Sequence, residues 1–179
     1  MRGLILMLRP PADVGDEIIS CVHEKALADR MSGKLVTQAR LHQSVSLKLE
    51  DTEANLAALR RVGNRLSAHA FEFVYNRIRN SGDGGNWVLL PRGEVSQFLE
   101  LRDLVQAELR CEGLDVVGHT AHMTLAYGVG ASPAESFEIE PIVWPVTEIE
   151  LVRAGAHADY GYDTLYRWPL KSPRQTALF

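Results

Sequence analysis

The stretch "RLHQSVSLK", residues 40–48, alternates polar and apolar side chains. Successive side chains of a β-strand point to opposite faces, so this alternation predicts a strand with one wet face. The predicted wet face carries Arg40, His42, Ser44, Ser46 and Lys48. The opposite face carries Leu41, Gln43, Val45 and Leu47. Every side chain of the first face can bind an anion, so the stretch is either an ordinary half-buried strand or part of an active site.

A second stretch, "AHMTLAYG" at residues 121–128, repeats the pattern of a histidine followed two residues later by a hydroxyl. The predicted strand places Thr120, His122, Thr124 and Ala126 on one face, and Ala121, Met123, Leu125 and Tyr127 on the other. The two histidines, His42 and His122, are 80 residues apart. About the same distance separates "GLILMLRPPADVGDEI" from "NWVLLPRGEVSQFLEL", each an apolar strand, a Pro/Arg break and an amphipathic helix. This repeat predicts two similar α+β lobes around a shared cleft, without a linker between them.

The remaining patterns supply the other elements of this duplicated plan. The apolar residues Leu4 to Leu8 predict a strand. Helical spacing of apolar residues predicts three helices: one begins at Pro11, one is capped by Asp51 or Thr52, and one spans 94–113. The apolar stretches 71–79 and 86–90 predict strands, and the composition of 80–85 between them is typical of a hairpin turn. Three further strands are predicted at 137–146, 148–155 and 164–170, before a loosely held tail at about 171–179.

Composition and charge restrict the class of protein. The chain has 179 residues and a net charge of −4, which argues against a protein that coats long nucleic acids through a broad basic surface. No apolar run approaches the ~20 residues of a membrane span, and the first residues lack the pattern of a secretory signal. We therefore expect a cytoplasmic protein without membrane contact. Cys21 and Cys111 fall in helical patterns, and we expect two reduced core thiols.

The paired histidine and hydroxyl residues fit acid/base chemistry on a phosphoester. An imidazole has an unperturbed pKa of about 6.5, so one ring can accept the proton of water while the other donates to the leaving oxygen. Ser44 and Thr124 would donate hydrogen bonds to the non-bridging oxygens, whose negative charge grows during attack. This mechanism needs no metal and no cofactor. The near identity of the two motifs leaves open which histidine is the acid and which is the base.

Other residues near the motifs have weaker signals. His119 and His122 form an HxxH pattern, but residues three apart on a strand face opposite ways, so we expect no metal site and place His119 at the cleft rim or in solvent. Arg40 and Lys48 either steer a phosphate or are charges at a strand end. Arg77 and Arg79 either contact a nucleic-acid backbone or are solvated charges. Tyr127 and Trp87 either stack on a base or belong to the core.

Together, "LHQSV" and "AHMTLAYG" resemble the motifs of the two-histidine (2H) phosphoesterase superfamily, in particular its bacterial 2'-5' RNA ligase/RNA 2',3'-cyclic phosphodiesterase branch. The stretch at 71–90 and the closing stretch at 149–170 are also similar to segments of that branch. The resemblance implies a single bilobal, pseudo-symmetric α+β domain over 1–179, with two antiparallel sheets lining a central cleft and helices on the outside. It also implies metal-independent catalysis by His42, Ser44, His122 and Thr124, with Arg40, Tyr127, His119 and Arg77 as candidate substrate-binding residues.

The function that we expect is hydrolysis of a 2',3'-cyclic phosphodiester, at an RNA end, to a 2'-phosphomonoester by a monomeric enzyme. Three alternatives stay open: a 2'-5' RNA ligase that uses the same site in reverse, a hydrolase of small cyclic nucleotides, and a non-catalytic module that binds RNA ends. The last motif has Ala121 and Tyr127 where the family often has proline and a basic residue. The sequence therefore leaves open whether the partner is an RNA terminus or a smaller cyclic nucleotide.

Overall fold

A computed structural model of the protein describes residues 2–31, 35–80, 85–114, 118–128, 134–155 and 161–172. The three α-helices of these residues are α1 (Ala12–Glu24), α2 (Glu53–Arg65) and α3 (Ser96–Cys111), and Gln38–Arg40 forms one 3-10 turn. The strands are β1 (Gly3–Leu8), β2 (Gln43–Ser44), β3 (Leu49–Glu50), β4 (Phe71–Asn80), β5 (Trp87–Pro91), β6 (Met123–Ala126), β7 (Glu135–Val146), β8 (Glu148–Ala154) and β9 (Tyr162–Pro169).

These strands form two antiparallel sheets. The first has the order β2-β1-β8-β9, with β3 also paired to β1, and the second has the order β6-β5-β4-β7. The histidine motifs therefore occupy an edge of each sheet, β2 in one and β6 in the other. A continuous hydrophobic core joins the sheets, with Leu6 of β1, Phe73 of β4 and Leu151 of β8 in one cluster. The expected α+β class with two antiparallel sheets is confirmed.

The predicted repeat of strand, helix and histidine strand is present in both halves. In the first sheet Met7 of β1 pairs with Ser44 of β2, and in the second Val88 of β5 pairs with Thr124 of β6. Each histidine strand thus returns antiparallel to the strand that opens its half of the chain. This equivalence gives the hydroxyls of the two motifs corresponding positions in their sheets.

The helices form where the apolar spacing and the capping residues predict them. Val14, Ile18 and Val22 form the buried side of α1. Thr52 is the cap of α2, because its Oγ1 accepts a hydrogen bond from the Asn55 amide at 3.2 Å. The third helix, α3, buries Phe98, Leu101, Val105 and Leu109, and the chain leaves it through Gly113 at a φ of +75°, which glycine adopts without strain.

The prediction of one uninterrupted strand over 40–48 is wrong. The amides of Val45 and Ser46 both donate to the Leu6 carbonyl, so one extra residue interrupts the pairing with β1. The alternation reverses there: Ser46 is buried and accepts a hydrogen bond from the Leu6 amide, whereas Leu47 is exposed. Ser46 therefore does not share a wet face with Ser44.

The predicted faces of the second motif also need correction. The strand begins at Met123, and Leu125 is an extra residue in the pairing of β6 with β5. The Leu125 carbonyl accepts instead from the Val36 amide at 2.7 Å. Because an extra residue changes which way the following side chains point, Tyr127 reaches the side of the sheet that carries Thr124.

Three other expectations concern the chain as a whole. Cys21 and Cys111 are free thiols, but Cys111 is exposed on α3, so its assignment to the core is wrong. Within the described ranges no helix is both long and apolar enough to cross a bilayer. Most of the predicted hairpin turn at 80–85 and most of the tail at 171–179 lie outside the described residues.

Candidate active site

A cavity of about 390 Å³ lies between the two histidine-bearing edges. Its described lining consists of Ile5, Arg40, His42, Ser44, Lys48, Asn86, His119, His122, Thr124, Tyr127, Ala154, Gly155 and Tyr162. Both histidines and both hydroxyls of the two motifs are in this set. The structure thus brings together four side chains that the sequence analysis placed in one site.

The imidazole of His42 is held in a defined tautomer. Its Nδ1 lies 2.9 Å from the Arg40 carbonyl oxygen. A carbonyl oxygen only accepts hydrogen bonds, so Nδ1 carries the proton and donates. The ring also packs edge-on against Tyr162, with centroids 5.1 Å apart. These contacts leave Nε2 as the ring atom that exchanges a proton with a ligand.

The imidazole of His122 has the same arrangement. Its Nδ1 donates to the Thr120 carbonyl oxygen at 2.9 Å, again two residues before the histidine. The two motifs therefore use one local geometry: a backbone carbonyl orients each ring and fixes its tautomer. Both Nε2 atoms are consequently available for proton transfer, as a paired acid and base require.

Burial changes the acid/base behaviour of His42. Loss of solvent lowers the pKa of His42 below its usual value, and the nearby His122, Arg40 and His119 lower this pKa further, while the hydrogen bond to the Arg40 carbonyl partly offsets them. The pKa of His119 is also lowered, by burial and by His122. The site thus disfavours simultaneous positive charge on His42 and its neighbours.

This environment predicts that folding stability depends on pH through His42. In the unfolded chain His42 has a pKa near 6.5, so it binds a proton more readily than in the folded protein, where its pKa is lower. The stability that neutral His42 contributes is therefore present above pH ~6.5 and is lost as the pH falls through the folded pKa. We expect the free energy of unfolding to fall more between pH 7.5 and 5.5 in the wild type than in His42→Gln. Urea unfolding at both pH values measures this, with His23→Gln, an exposed position on α1, as the matched control. An equal loss in wild type and His42→Gln would contradict the prediction.

The substrate-binding candidates are divided by the structure. Arg40, His119 and Tyr127 line the cavity, whereas Arg77 is exposed on β4 and is outside its lining. Trp87 is 1% exposed in the core, so a role in base stacking is excluded for it. Substrate binding inside the cavity therefore stays a prediction for Arg40, His119 and Tyr127. For Arg77 the prediction is a contact with substrate outside the cavity.

The reasoning that separated His119 from His122 is wrong in its geometry. Residues 118–122 precede β6 and are not extended as a strand, and the two rings lie edge-to-face with centroids 5.9 Å apart. A metal site needs further ligands. Among the described residues, no three His, Cys, Asp or Glu side chains converge as a metal-binding group.

Sequence reasoning missed Tyr162 and Asn86. Tyr162 begins β9, and its hydroxyl lies 3.4 Å from Nδ1 of His42. Burial and the neighbouring Tyr127 raise the pKa of Tyr162, so its hydroxyl stays protonated, and toward the Nδ1–H of His42 it can only accept. Asn86 accepts from the Gly128 amide at 3.1 Å and thereby holds the end of the second motif. The closing stretch that carried part of the family resemblance includes Tyr162 and was the available signal.

A second cavity, of about 370 Å³, lies beside the start of α1. Its charged side chains already have partners, because Arg9 and Arg167 both bind the carboxylate of Glu150. Neither His42 nor His122 lines it. The first cavity is therefore the candidate active site.

Solved structures of the same architecture match this chain. One, described as a phosphoesterase, has a TM-score of 0.77 and 19% identity over 96% of this chain and 99% of the other. LigT of E. coli complexed with 3'-AMP has a TM-score of 0.75 and 19% identity over 95% and 98% of the two chains. TT0787 of Thermus thermophilus has a TM-score of 0.74 and 20% identity over 95% and 98%. The chain therefore shares its fold with these proteins over almost its whole length, as the resemblance implied.

The comparisons of sequence are negative. No protein-family model matches the chain, and no curated protein matches it either. The likeness that these comparisons show thus lies in the course of the backbone.

Proposed function

We propose that the protein is a metal-independent phosphodiesterase that hydrolyses 2',3'-cyclic phosphodiesters, at RNA ends, to 2'-phosphomonoesters. The observation that carries this proposal is the matched pair of imidazoles. His42 and His122 line one cavity, each donates Nδ1–H to the carbonyl two residues earlier, and each is followed by a hydroxyl that lines the same cavity. A fold shared with phosphoesterases supports it.

In the proposed reaction one Nε2 accepts a proton from water as the water oxygen attacks phosphorus. The bond between phosphorus and the 3'-oxygen breaks, and the Nε2–H of the other imidazole protonates that oxygen, so one proton enters and one leaves the pair. The step needs one charged and one neutral ring. The lowered pKa of His42 serves this requirement, because it disfavours the doubly charged pair.

The hydroxyls of Ser44 and Thr124 donate to the non-bridging oxygens of the phosphate. Thr124 is 9% exposed, so its hydroxyl acts in a site with little water, where such hydrogen bonds are stronger. The guanidinium of Arg40 adds positive charge, and its buried Nε has no hydrogen-bond partner among the described residues.

The ribose and base occupy the rest of the cavity, beside Tyr127 and Tyr162. Tyr127 is 45% exposed, which leaves its ring accessible for stacking. The E. coli LigT structures with 3'-AMP and with phosphate support a ligand of nucleotide size in this fold. An RNA chain would continue past the cavity, and Arg77 is the candidate for contact with its backbone.

Incubation with a 2',3'-cyclic mononucleotide and with an oligonucleotide ending in the same group tests this function. We expect both to be opened to the 2'-phosphomonoester, with the rate unchanged in EDTA, because the proposed proton transfers use imidazoles alone. Chromatography of the products against 2'- and 3'-phosphate standards measures the outcome. Loss of hydrolysis in EDTA that added Mg²⁺ or Zn²⁺ restores would contradict the mechanism.

The alternatives give different results in the same assay. A 2'-5' ligase joins the oligonucleotide to an added 5'-hydroxyl RNA end, faster turnover of the mononucleotide indicates a small cyclic substrate, and binding without turnover indicates an RNA-end module. Intact His42, Ser44, His122 and Thr124 around one cavity favour an enzyme over the module. The monomeric state and the cytoplasmic location stay predictions.

A further inference from the structure

Gln43 is the central residue of the first motif, and its side chain is fully buried. The alternation of 40–48 placed it on the apolar face with Leu41 and Val45, both of which are core residues. A buried amide must find hydrogen-bond partners, since leaving its polar atoms unpaired costs much of the free energy gained by burial. The position of those partners shows what the residue does.

The side chain of Gln43 crosses from the first sheet to the second motif. Its Oε1 accepts a hydrogen bond from the backbone amide of His122 at 2.6 Å. Its Nε2 donates to the carbonyl of Ser44 at 2.8 Å and to the carbonyl of Thr120 at 3.3 Å. One amide group therefore contacts the backbone of both histidine motifs.

The two contacts on the second motif are the ones that position His122. The Thr120 carbonyl that receives Nε2–H of Gln43 also receives Nδ1–H of the His122 ring. Gln43 thus holds the backbone amide of His122 and the carbonyl that orients its imidazole. A displacement of Gln43 would move or turn the His122 ring, which lines the cavity.

The neighbouring backbone leaves little space for adjustment where the two motifs meet. A side chain on Gly118 would place its Cβ 2.7 Å from the Val45 carbonyl oxygen, closer than packing allows. Residues 118–122 therefore lie directly against residues 43–45. The equivalent of Gln43 in the second motif is Met123, which is fully buried and apolar, so the polar contact between the motifs is made from the first one.

We propose that Gln43 is a positioning residue that sets the place and tautomer of His122 relative to His42. The expected effect on kcat rests on the proposed hydrolysis. The expected effect on the tautomer of His122 rests on the hydrogen bonds alone. A small displacement of a catalytic group lowers the rate of the chemical step more than it lowers substrate binding, and a misplacement of about 1 Å can cost about 100-fold.

The kinetic test uses Gln43→Met, which has a similar length and no amide, and Gln43→Glu, which keeps an acceptor for the His122 amide. We expect Gln43→Met to lower kcat about 10- to 100-fold with KM changed less than about threefold, and Gln43→Glu to recover part of the loss. Met123→Leu, at the equivalent buried position, is the matched packing control and should keep kcat within about twofold.

The structural test is independent of turnover. Two-bond ¹H–¹⁵N spectra of protein labelled at histidine report the tautomer of each ring, and we expect the wild type to show Nδ1–H on His122 and Gln43→Met to show a second population with Nε2–H. If the protein hydrolyses no cyclic phosphate, the proposed function fails and this spectrum alone decides the role of Gln43. An unchanged His122 tautomer would then overturn it.

In an active enzyme the kinetics decide. The inference is overturned if kcat of Gln43→Met stays within twofold of the Met123→Leu control, or if all three variants lose kcat equally, as a general packing defect would cause. If Gln43→Met does not fold, Gln43→Glu carries the test: it must reduce kcat relative to Met123→Leu without raising KM, and an unchanged kcat overturns the proposal.

Discussion

Replacement of either His42 or His122 by alanine should lower kcat for 2',3'-cyclic phosphate hydrolysis by about 10²- to 10⁴-fold, the typical contribution of a general acid or base. This corresponds to about 3 to 5 kcal/mol of the activation barrier. The double variant should be little worse than the worse single variant, because the two rings act as a unit in one proton relay. Steady-state kinetics with a cyclic mononucleotide measure all three.

The matched control for these substitutions is His23→Ala. His23 lies on the exposed side of α1 and does not line the cavity. It should retain the wild-type kcat and KM. If His42→Ala or His122→Ala retained more than about a tenth of the wild-type kcat, the two-histidine mechanism would be contradicted.

Replacement of Phe73 by alanine should cause the largest loss of folding stability, about 3 to 5 kcal/mol, which is typical of a buried aromatic. Phe73 is fully buried on β4 and contacts Tyr75, Phe98 and Trp144, with ring centroids 5.3 to 5.5 Å apart. It therefore packs α3 against β4 and β7 of the second sheet, whose edge strand β6 directly follows His122. The loss is a large share of the ~5 to 15 kcal/mol by which a typical domain is stable.

Urea unfolding measures this loss, and Val143→Ala is the control. Val143 is on β7, where it is 44% exposed, so its truncation leaves no buried cavity and should cost less than about 1 kcal/mol. Equal losses in the two variants would show that the aromatic cluster is not the main source of stability in this sheet.

Much of the fold and the centre of the site could be predicted from the sequence, because both depend on local patterns. Apolar spacing predicted all three helices, and Thr52 was one of two predicted caps for α2. The repeated motifs predicted His42 and His122 on corresponding strands; each in fact lies directly before a strand, β2 or β6, and both line one cavity. A duplicated pattern is informative because each copy independently predicts the role of the other.

The parts that failed depend on contacts between distant residues. Both amides of Val45 and Ser46 turn toward Leu6, and Leu125 turns toward Val36, so two bulges reverse the alternation that the sequence displays. No local pattern specifies such an insertion. A serine such as Ser46 looks like a solvent-facing residue in the sequence, whether or not the fold buries it. Tyr127 reached the cavity for the same reason.

Gln43 shows that a failed pattern can itself be informative. A glutamine among Leu41, Val45 and other apolar residues breaks the period of that face, and a buried amide implies a specific partner. The sequence could have indicated that such a partner exists. Its identity, the backbone of His122, depends on how the two sheets meet.

The contact between the first half of the chain and the second motif also covers backbone groups at a sheet edge. A strand at the border of a sheet exposes unpaired amides and carbonyls that can recruit a strand from another molecule and start aggregation. Here the Leu125 carbonyl accepts a hydrogen bond from the Val36 amide, and the His122 amide donates to Gln43, so the first half of the chain covers backbone groups at the open border of the second. Separating the two halves would therefore expose an aggregation-prone sheet edge and also separate the two histidines of the candidate active site.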